Sequence, residues 1–356
     1  MRPRRGRLAD GRTILYFDDA TSPGRGDPPP DRRALDPPPP PGELRYDALL
    51  DEWIILAAHR QARTFLPPAS ECPLCPSRGT TLTEVPAHDY DVVVFENRFP
   101  SLPAAVVPDG PPVGRAEVIC YSSDHEASFP TLSDERLDTI AAAWVERSAA
   151  LSDDPGTAAV FVFENRGEEI GVTLHHPHGQ VYAYPFVPPR LERMLAAADR
   201  HRDAARGACL GCDVLADELR DGRRILVAGS TAVAYVPRAA RWPYEVHVVP
   251  RRHVGQLAEL EPAELAELVR LHADALARLD QLFGREVPAM SGWFASPARA
   301  EGTPLHLRLE VVSPQRDAGK LKYLASSESL MGAFIGDVAP EDAAERLRSV
   351  PGRGGR

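Results

Sequence analysis

Cysteine is scarce in this chain, with five in 356 residues. That is too few for a disulfide scaffold. No apolar run approaches the ~20 residues of a membrane span, so no membrane partner is expected. Basic charge is not in excess either: 41 Lys and Arg stand against 51 Asp and Glu, a net charge of −10. A general nucleic-acid binder carries a basic footprint, so nucleic acid is not an expected partner. A nucleotide needs only a local site and stays possible. The opening MRPRRGRLADGR has charge but no apolar h-region, so it does not read as a secretory signal. The expected setting is cytoplasmic and reducing. There, paired cysteines point to metal or redox chemistry rather than to disulfides.

Hydrophobic residues make up 43% of the chain, ample for a core. The length leaves room for two domains. Four of the five cysteines fall in two identical spacings, Cys72/Cys75 and Cys209/Cys212, while Cys120 stands alone inside a strand and reads as a small buried apolar residue. Residues 1–42 read as an N-terminal arm. Its segment from Pro28 to Gly42, PPPDRRALDPPPPPG, favours an extended connector over core. The tail SVPGRGGR reads as disordered from residue 349.

Between arm and tail, strand and helix text alternate. EWIILAA, DVVVFEN, AEVICYS, AVFVFEN and GQVYAYPF are β-branched or aromatic runs bounded by turn residues. Leu137, Ile140, Ala141, Trp144 and Val145 recur at helical spacing after Ser133, a suitable cap. Pro188–Gly207 holds a second helical pattern. RRILVAG, TAVAYVP and YEVHVVP return to strand. A long helix is expected from Pro262 to Gly284, with LHLRLEVV as the last clear strand. The halves rhyme: ECPLCP with ACLGCD, His125 with His253, and His176 with His306. The reading is a whole-domain duplication. The expected fold is α/β (α+β), two tandem units over 43–205 and 206–348, each an antiparallel sheet with helices packed on one side.

The strongest local signal is HHPHGQ at 175–180. In a strand, residues two apart share a face, so His176, His178 and Gln180 point the same way. His176 can bind a metal while His178 stays free. Cys72 and Cys75 could supply two thiolates, and His125 and His176 two imidazoles, to a closed tetrahedral zinc site. The long gaps to both histidines mean that spacing alone does not assign them.

On these residues the chain resembles the galactose-1-phosphate uridylyltransferase family of the histidine-triad superfamily. The likeness spans about residues 45–345. It is carried by WIILAAHRQAR (53–63), CPLC, VFENRFP (94–100), VICYSSDHEASFPTLS, FENRGEEIGVTLHHPHGQ (163–180) and GKLKYLASSE (319–328). The resemblance implies that Cys72, Cys75, His125 and His176 bind zinc, that His178 is the nucleophile, and that Gln180 holds the phosphoryl oxygens. Thr173 stands where the family usually has Ser and keeps the hydroxyl. Arg60 and Arg63 match residues facing the sugar phosphates; Asn97 and Phe99 match those around uridine and ribose; Asn165 matches a phosphate or ribose contact. Arg98 replaces a family Asp. Lys322, Tyr323 and Glu328 match a hexose-binding segment that reaches in from the partner of a homodimer. The implied substrates are UDP-glucose, UDP-galactose and hexose 1-phosphates.

The family's usual second metal is not expected, because Phe294 and Arg308 stand at two of its histidine positions and Glu310 at a third. Compact histidine-triad proteins suggest another site. There a zinc-binding C-x-x-C precedes a strand ending in P-[KR]-[KR]-H and then H-x-H-x-H. Cys209, Cys212, His253 and His306 keep that order, with Arg308 at the nucleophile's place. The competing reading is two buried thiols and two ordinary histidines. His59, His88, His175, His201, His247 and His272 read as structural. Two other functions fit the same motifs: a phosphorylase of ADP-sugars or dinucleoside polyphosphates, and a non-catalytic zinc-stabilised nucleotide-binding module.

Overall fold

The computed structural model describes residues 2–22, 24–37, 42–58, 66–102 and 114–354. The chain opens with β1 (Arg4–Arg7), β2 (Thr13–Phe17), β3 (Glu43–Asp47), β4 (Glu52–Leu56), β5 (Val92–Glu96) and β6 (Arg115–Cys120). Helix α1 (Asp134–Ser152) then leads to β7 (Ala159–Arg166) and β8 (His178–Tyr184). Helices α2 (Pro189–Ala204) and α3 (Leu210–Asp221) precede β9 (Ile225–Ala228), β10 (Ala232–Tyr235) and β11 (Tyr244–Pro250). Next come α4 (Pro262–Phe283), β12 (Ala289–Phe294), β13 (Arg308–Ser313), β14 (Gln315–Asp317), β15 (Lys320–Leu321), α5 (Ser326–Met331) and α6 (Pro340–Ser349).

Eleven strands form one sheet in the order β1-β2-β5-β6-β8-β7-β12-β13-β11-β10-β9. Every neighbouring pair is antiparallel. The order reads outward in the same way from the β7–β12 seam, so β8 corresponds to β13 and β6 to β11. The expected duplication is therefore visible in the sheet, but the halves share one sheet and one core. Trp144 of α1 meets Trp293 of β12 at 6.0 Å between rings, and α1, α4 and α6 bury a single apolar cluster against one sheet face.

The ends of the two long helices follow the sequence. Arg136 N donates to Ser133 Oγ at 3.1 Å and starts α1. Gly284, at φ +65°, ends α4 in the left-handed conformation that glycine adopts without strain.

Two expectations need correction. Helices do not all lie on one side: α2 packs on Ala159 and Leu305, and α3 on Val233, Tyr235 and Val249, on the opposite face from α1 and α4. Ahead of the proline-rich segment the arm joins the sheet: Ile14 to Phe17 are at most 4% exposed and pair with β5. Four consecutive apolar residues are enough for a buried strand even in polar and proline-rich surroundings. Residues 349–354 are also placed: Arg353 N donates to Asp274 at 2.7 Å, and its guanidinium reaches the Pro130 carbonyl at 3.1 Å.

Candidate functional site

Cys72 closes a short turn over Ala69–Glu71, and Cys75 follows in the same loop. His125 comes from the loop after β6, and His176 from the loop before β8. The fold brings these four together, although the sequence separates them by up to about a hundred positions. Cys75 Sγ lies 3.4 Å from His125 Nδ1 and 3.5 Å from His176 Nδ1. All four ligand atoms lie within 4.8 Å of one another. Metal bonds of about 2.0–2.3 Å put tetrahedral ligands about 3.6 Å apart, so the spacing suits one ion.

The hydrogen bonds behind the cluster fix which nitrogen faces it. His176 Nε2 is 2.8 Å from the Ser122 carbonyl and 2.7 Å from the Tyr90 hydroxyl, which itself donates to the Leu74 carbonyl. The proton therefore sits on Nε2, and Nδ1 turns a lone pair inward. Burial holds the His176 pKa down at about 4, so the ring is neutral. Burial and the Cys72 thiol push Cys75 up to about 12; a cation is what would make thiolates of this pair near neutral pH. Tyr90 was not anticipated. It is a lone aromatic ahead of β5, and nothing in its spacing marks it. Cys120 is fully buried, as expected.

His178 opens β8. Its Nδ1 donates to the His176 carbonyl at 2.7 Å, so the unprotonated Nε2 is the nitrogen left for chemistry. Burial lowers its pKa, which favours the neutral ring. His178, Gln180, Thr173, Asn97 and Phe99 line one cavity of about 190 Å³. Arg98 lines it too, with its guanidinium against the Phe99 ring and bonded to the Asp36 carbonyl. Glu84 in the wall is held by Arg12 at 2.7 Å and Arg33 at 2.6 Å, so the N-terminal arm braces the cavity.

Asn165 is exposed and lines a second cavity that His178 also borders. Other expected residues lie elsewhere. Lys322 and Glu328 are buried against each other at 2.6 Å, with Asp337 at 3.1 Å from the same ammonium, and do not line the His178 cavity of their own chain. Tyr323 is exposed. Arg60, Arg63 and His59 fall outside the described residues.

The second half repeats the cluster. Cys209 caps α3 and Cys212 sits in its first turn, a helix the sequence reading did not anticipate. Cys212 Sγ lies 3.6 Å from His253 Nδ1 and 3.4 Å from His306 Nδ1. His306 Nε2 donates to the Pro250 carbonyl at 2.9 Å, and His253 Nε2 to that of Thr303 at 3.1 Å. The two histidine rings are 5.4 Å apart here and 5.5 Å apart in the first cluster. Burial lowers His306 to about 4, and burial with Cys209 raises Cys212 to about 12.

At the place of His178, Arg308 donates from Nε and Nη2 to one oxygen of Glu310, at 2.9 and 2.7 Å. Arg190 reaches the same carboxylate at 2.6 Å, and both arginines lie over the Phe294 ring. Burial raises the Glu310 pKa, but Arg308, His247 and Arg190 outweigh it and hold the carboxyl at about 2. Glu245, His247 and Glu310 also lie close together. The two guanidiniums already supply the positive charge there.

The duplicated antiparallel sheet that carries this site is a mixed α/β fold of the uridylyltransferase kind. A solved structure titled as a uridylyltransferase mutant superposes with a TM-score of 0.76 at 29% identity, covering 86% of this chain and 96% of that one. Residues 42–188 match the N-terminal domain of galactose-1-phosphate uridyl transferase, and residues 197–353 its C-terminal domain. The galactose-1-phosphate uridylyltransferase of Streptomyces lividans is 42% identical over 355 residues, covering 97% of this chain and 96% of that protein. That of Thermotoga maritima is 39% identical over 324 residues, covering 86% and 98%. The chain belongs to the galactose-1-phosphate uridyl transferase family.

Proposed function

We propose that the chain transfers UMP between hexose 1-phosphates through a covalent uridylyl-histidine at His178. The observation that carries this reading is the His178 tautomer: Nδ1–H is held by the His176 carbonyl, and Nε2 keeps its lone pair. Nε2 attacks the α-phosphorus of UDP-glucose. The bond from that phosphorus to the bridging oxygen breaks, and glucose 1-phosphate leaves with the electron pair. A phosphate oxygen of galactose 1-phosphate then attacks the same phosphorus, the P–N bond breaks, and UDP-galactose departs. Two displacements replace one difficult exchange.

Gln180 donates its amide N–H to the phosphoryl oxygens. An amide does not titrate, so it gives water no acid–base help and favours transfer over hydrolysis. Thr173 and Asn165 contribute a hydroxyl and an amide to phosphate or ribose, and Asn97 and Phe99 meet uridine and ribose. Arg60 and Arg63 supply planar guanidiniums suited to phosphate.

Cys72, Cys75, His125 and His176 suit zinc, since two sulfur and two nitrogen donors at tetrahedral spacing favour it. The ion's role there is structural: four protein ligands close its coordination. The same donors in Cys209, Cys212, His253 and His306 support a second structural zinc. Two zinc per chain are expected, falling to one in Cys209→Ser. One per chain in the parent, unchanged by that substitution, overturns the second site.

The chain works as a cytoplasmic homodimer in this reading. Free Cys/His clusters suit a reducing compartment. Among the described residues no helix is long and apolar enough to cross a membrane. Tyr323, Leu330 and Met331 are each at least 76% exposed on the segment that would reach a second copy's hexose.

The test is incubation with UDP-glucose or ADP-glucose labelled at the α-phosphate. UMP on protein, discharged by galactose 1-phosphate and lost in His178→Ala, is the expected result. An AMP label points instead to the phosphorylase. Binding without label points to the non-catalytic module.

A further inference from the structure

The cavity beside His178 has an image in the second half. It has about 650 Å³ and is lined in part by Arg308. The correspondence follows the sheet position by position. His178 and Arg308 open equivalent strands, β8 and β13. Val118 and His247 lie opposite Gln180 and Glu310 in the neighbouring strands β6 and β11. Phe95 in β5 and Arg98 just after it correspond to Tyr235 at the end of β10 and Arg238 just after it. The residues between the paired cysteines form part of each wall, Leu74 in the first and Gly211 in the second. Gly211 in place of Leu74 leaves that wall without a side chain, and the second cavity has a volume that holds a nucleotide-sized molecule.

Its charges favour an anion. The carboxylates around it are engaged: Glu218 and Asp221 with Arg224 at 2.9 and 3.0 Å, Asp217 with Arg220 at 2.6 Å, and Glu245 with His247 at 3.0 Å. Arg238 and Arg241 line the rim, and among the described residues neither guanidinium has a carboxylate partner. Arg308 lines the cavity too and shares its one carboxylate with Arg190.

We propose that this second cleft binds a nucleoside phosphate without turning it over. The inference rests on reading the His178 cavity as a nucleotide site. Guanidiniums hold the phosphate, and the Tyr235 ring with the apolar wall receives the nucleoside. The guanidinium at Arg308 offers no nucleophilic lone pair like that of an imidazole with which to attack phosphorus, so no covalent intermediate forms.

The test uses the full chain with His178 already uridylylated, so that the first cavity is filled. UMP is titrated calorimetrically. One UMP per chain is expected, weakened about tenfold or more in Arg238→Ala/Arg241→Ala, while the rate of UMP transfer is unchanged. No UMP bound by the uridylylated chain overturns the proposal, as does binding that ignores both substitutions. Inorganic phosphate that displaces UMP at equal concentration refutes the nucleoside part and leaves an anion site. If His178 takes no label, the transfer reading fails separately. The count is then made on unlabelled chain, where two UMP, one of them lost in the arginine variant, still support the second cleft. One UMP, insensitive to that variant, refutes it.

Discussion

Gly179 sits between His178 and Gln180, so adding one methyl group there tests both packing and chemistry. A Cβ at this position lies 2.1 Å from Tyr121 Oη and 2.8 Å from the Phe163 carbonyl oxygen. Neither neighbour can give way easily. Tyr121 is fully buried and packs edge-on against Phe129 at 5.4 Å and Trp144 at 6.3 Å. The Phe163 carbonyl is backbone in β7, which pairs with β8. Gly179→Ala must therefore lift β8 away from β7 or displace the Tyr121 ring. Overpacking of this kind costs about 1–3 kcal/mol, and contact with backbone places it toward the upper end. His178 and Gln180 move with the strand, and a misplacement of about 1 Å can cost about a hundredfold in rate. Urea denaturation measures the first effect, and single-turnover uridylylation from labelled UDP-glucose the second. Tyr121→Phe added to Gly179→Ala removes the Oη contact but not the carbonyl contact, so it recovers only part of the stability. A Gly179→Ala chain within about 0.5 kcal/mol of the parent, labelling at the parental rate, would falsify the steric argument.

Three further outcomes are expected. Burial pushes the Glu164 carboxyl up to about 8, so the folded state holds its proton longer than the unfolded state. Stability should fall as pH rises from the ordinary carboxylate range through about 8, and Glu164→Gln should remove that slope; parallel stability–pH curves for parent and variant refute this. Arg147 binds Glu117 through two bonds of 2.7 and 2.8 Å in the core between α1 and β6. Arg147→Met leaves a buried carboxylate and should cost about 3–5 kcal/mol, much of it recovered by adding Glu117→Leu; equal stability of single and double variants in urea melts counts against it. Lys322→Met removes the ammonium shared by Glu328 and Asp337 and leaves Asp337 only Arg316 at 3.4 Å. The 322–337 segment should then be cut faster by a protease than in the parent, and unchanged cleavage shows that the ion pairs do not hold it.

Much of the fold was legible where a local rule decides. Val92 to Phe95 are β-branched or aromatic in an unbroken run, and they form a central strand. Ser133 and Gly284 mark helix ends because their preferences are written in backbone chemistry. Ile14 to Phe17 were visible as an apolar run, but their pairing with β5 is a contact some eighty residues away. The metal cluster shows the same divide. C-x-x-C and H-x-H are local and readable, whereas the choice of His125 depends on how two loops meet. Tyr90 lies outside any motif, and the carbonyls of Ser122 and Pro250 set the histidine tautomers through backbone that no side-chain pattern reports. Lys322 and Glu328 are matched by resemblance alone, and their ion pair within this chain is a contact no local pattern announces.

The β7–β12 seam has a consequence for how the two halves could diverge. Ala289 pairs with Arg166 and Gly292 with Phe163, an antiparallel junction of the kind a twofold axis would create between separate copies. Separate copies must be identical, because one sequence specifies both, and each must find the other in solution. On a single polypeptide the second copy is always at hand, and a change in one half leaves the other untouched. Symmetry could then be given up one residue at a time, with a histidine at the head of one strand and an arginine at the head of its counterpart.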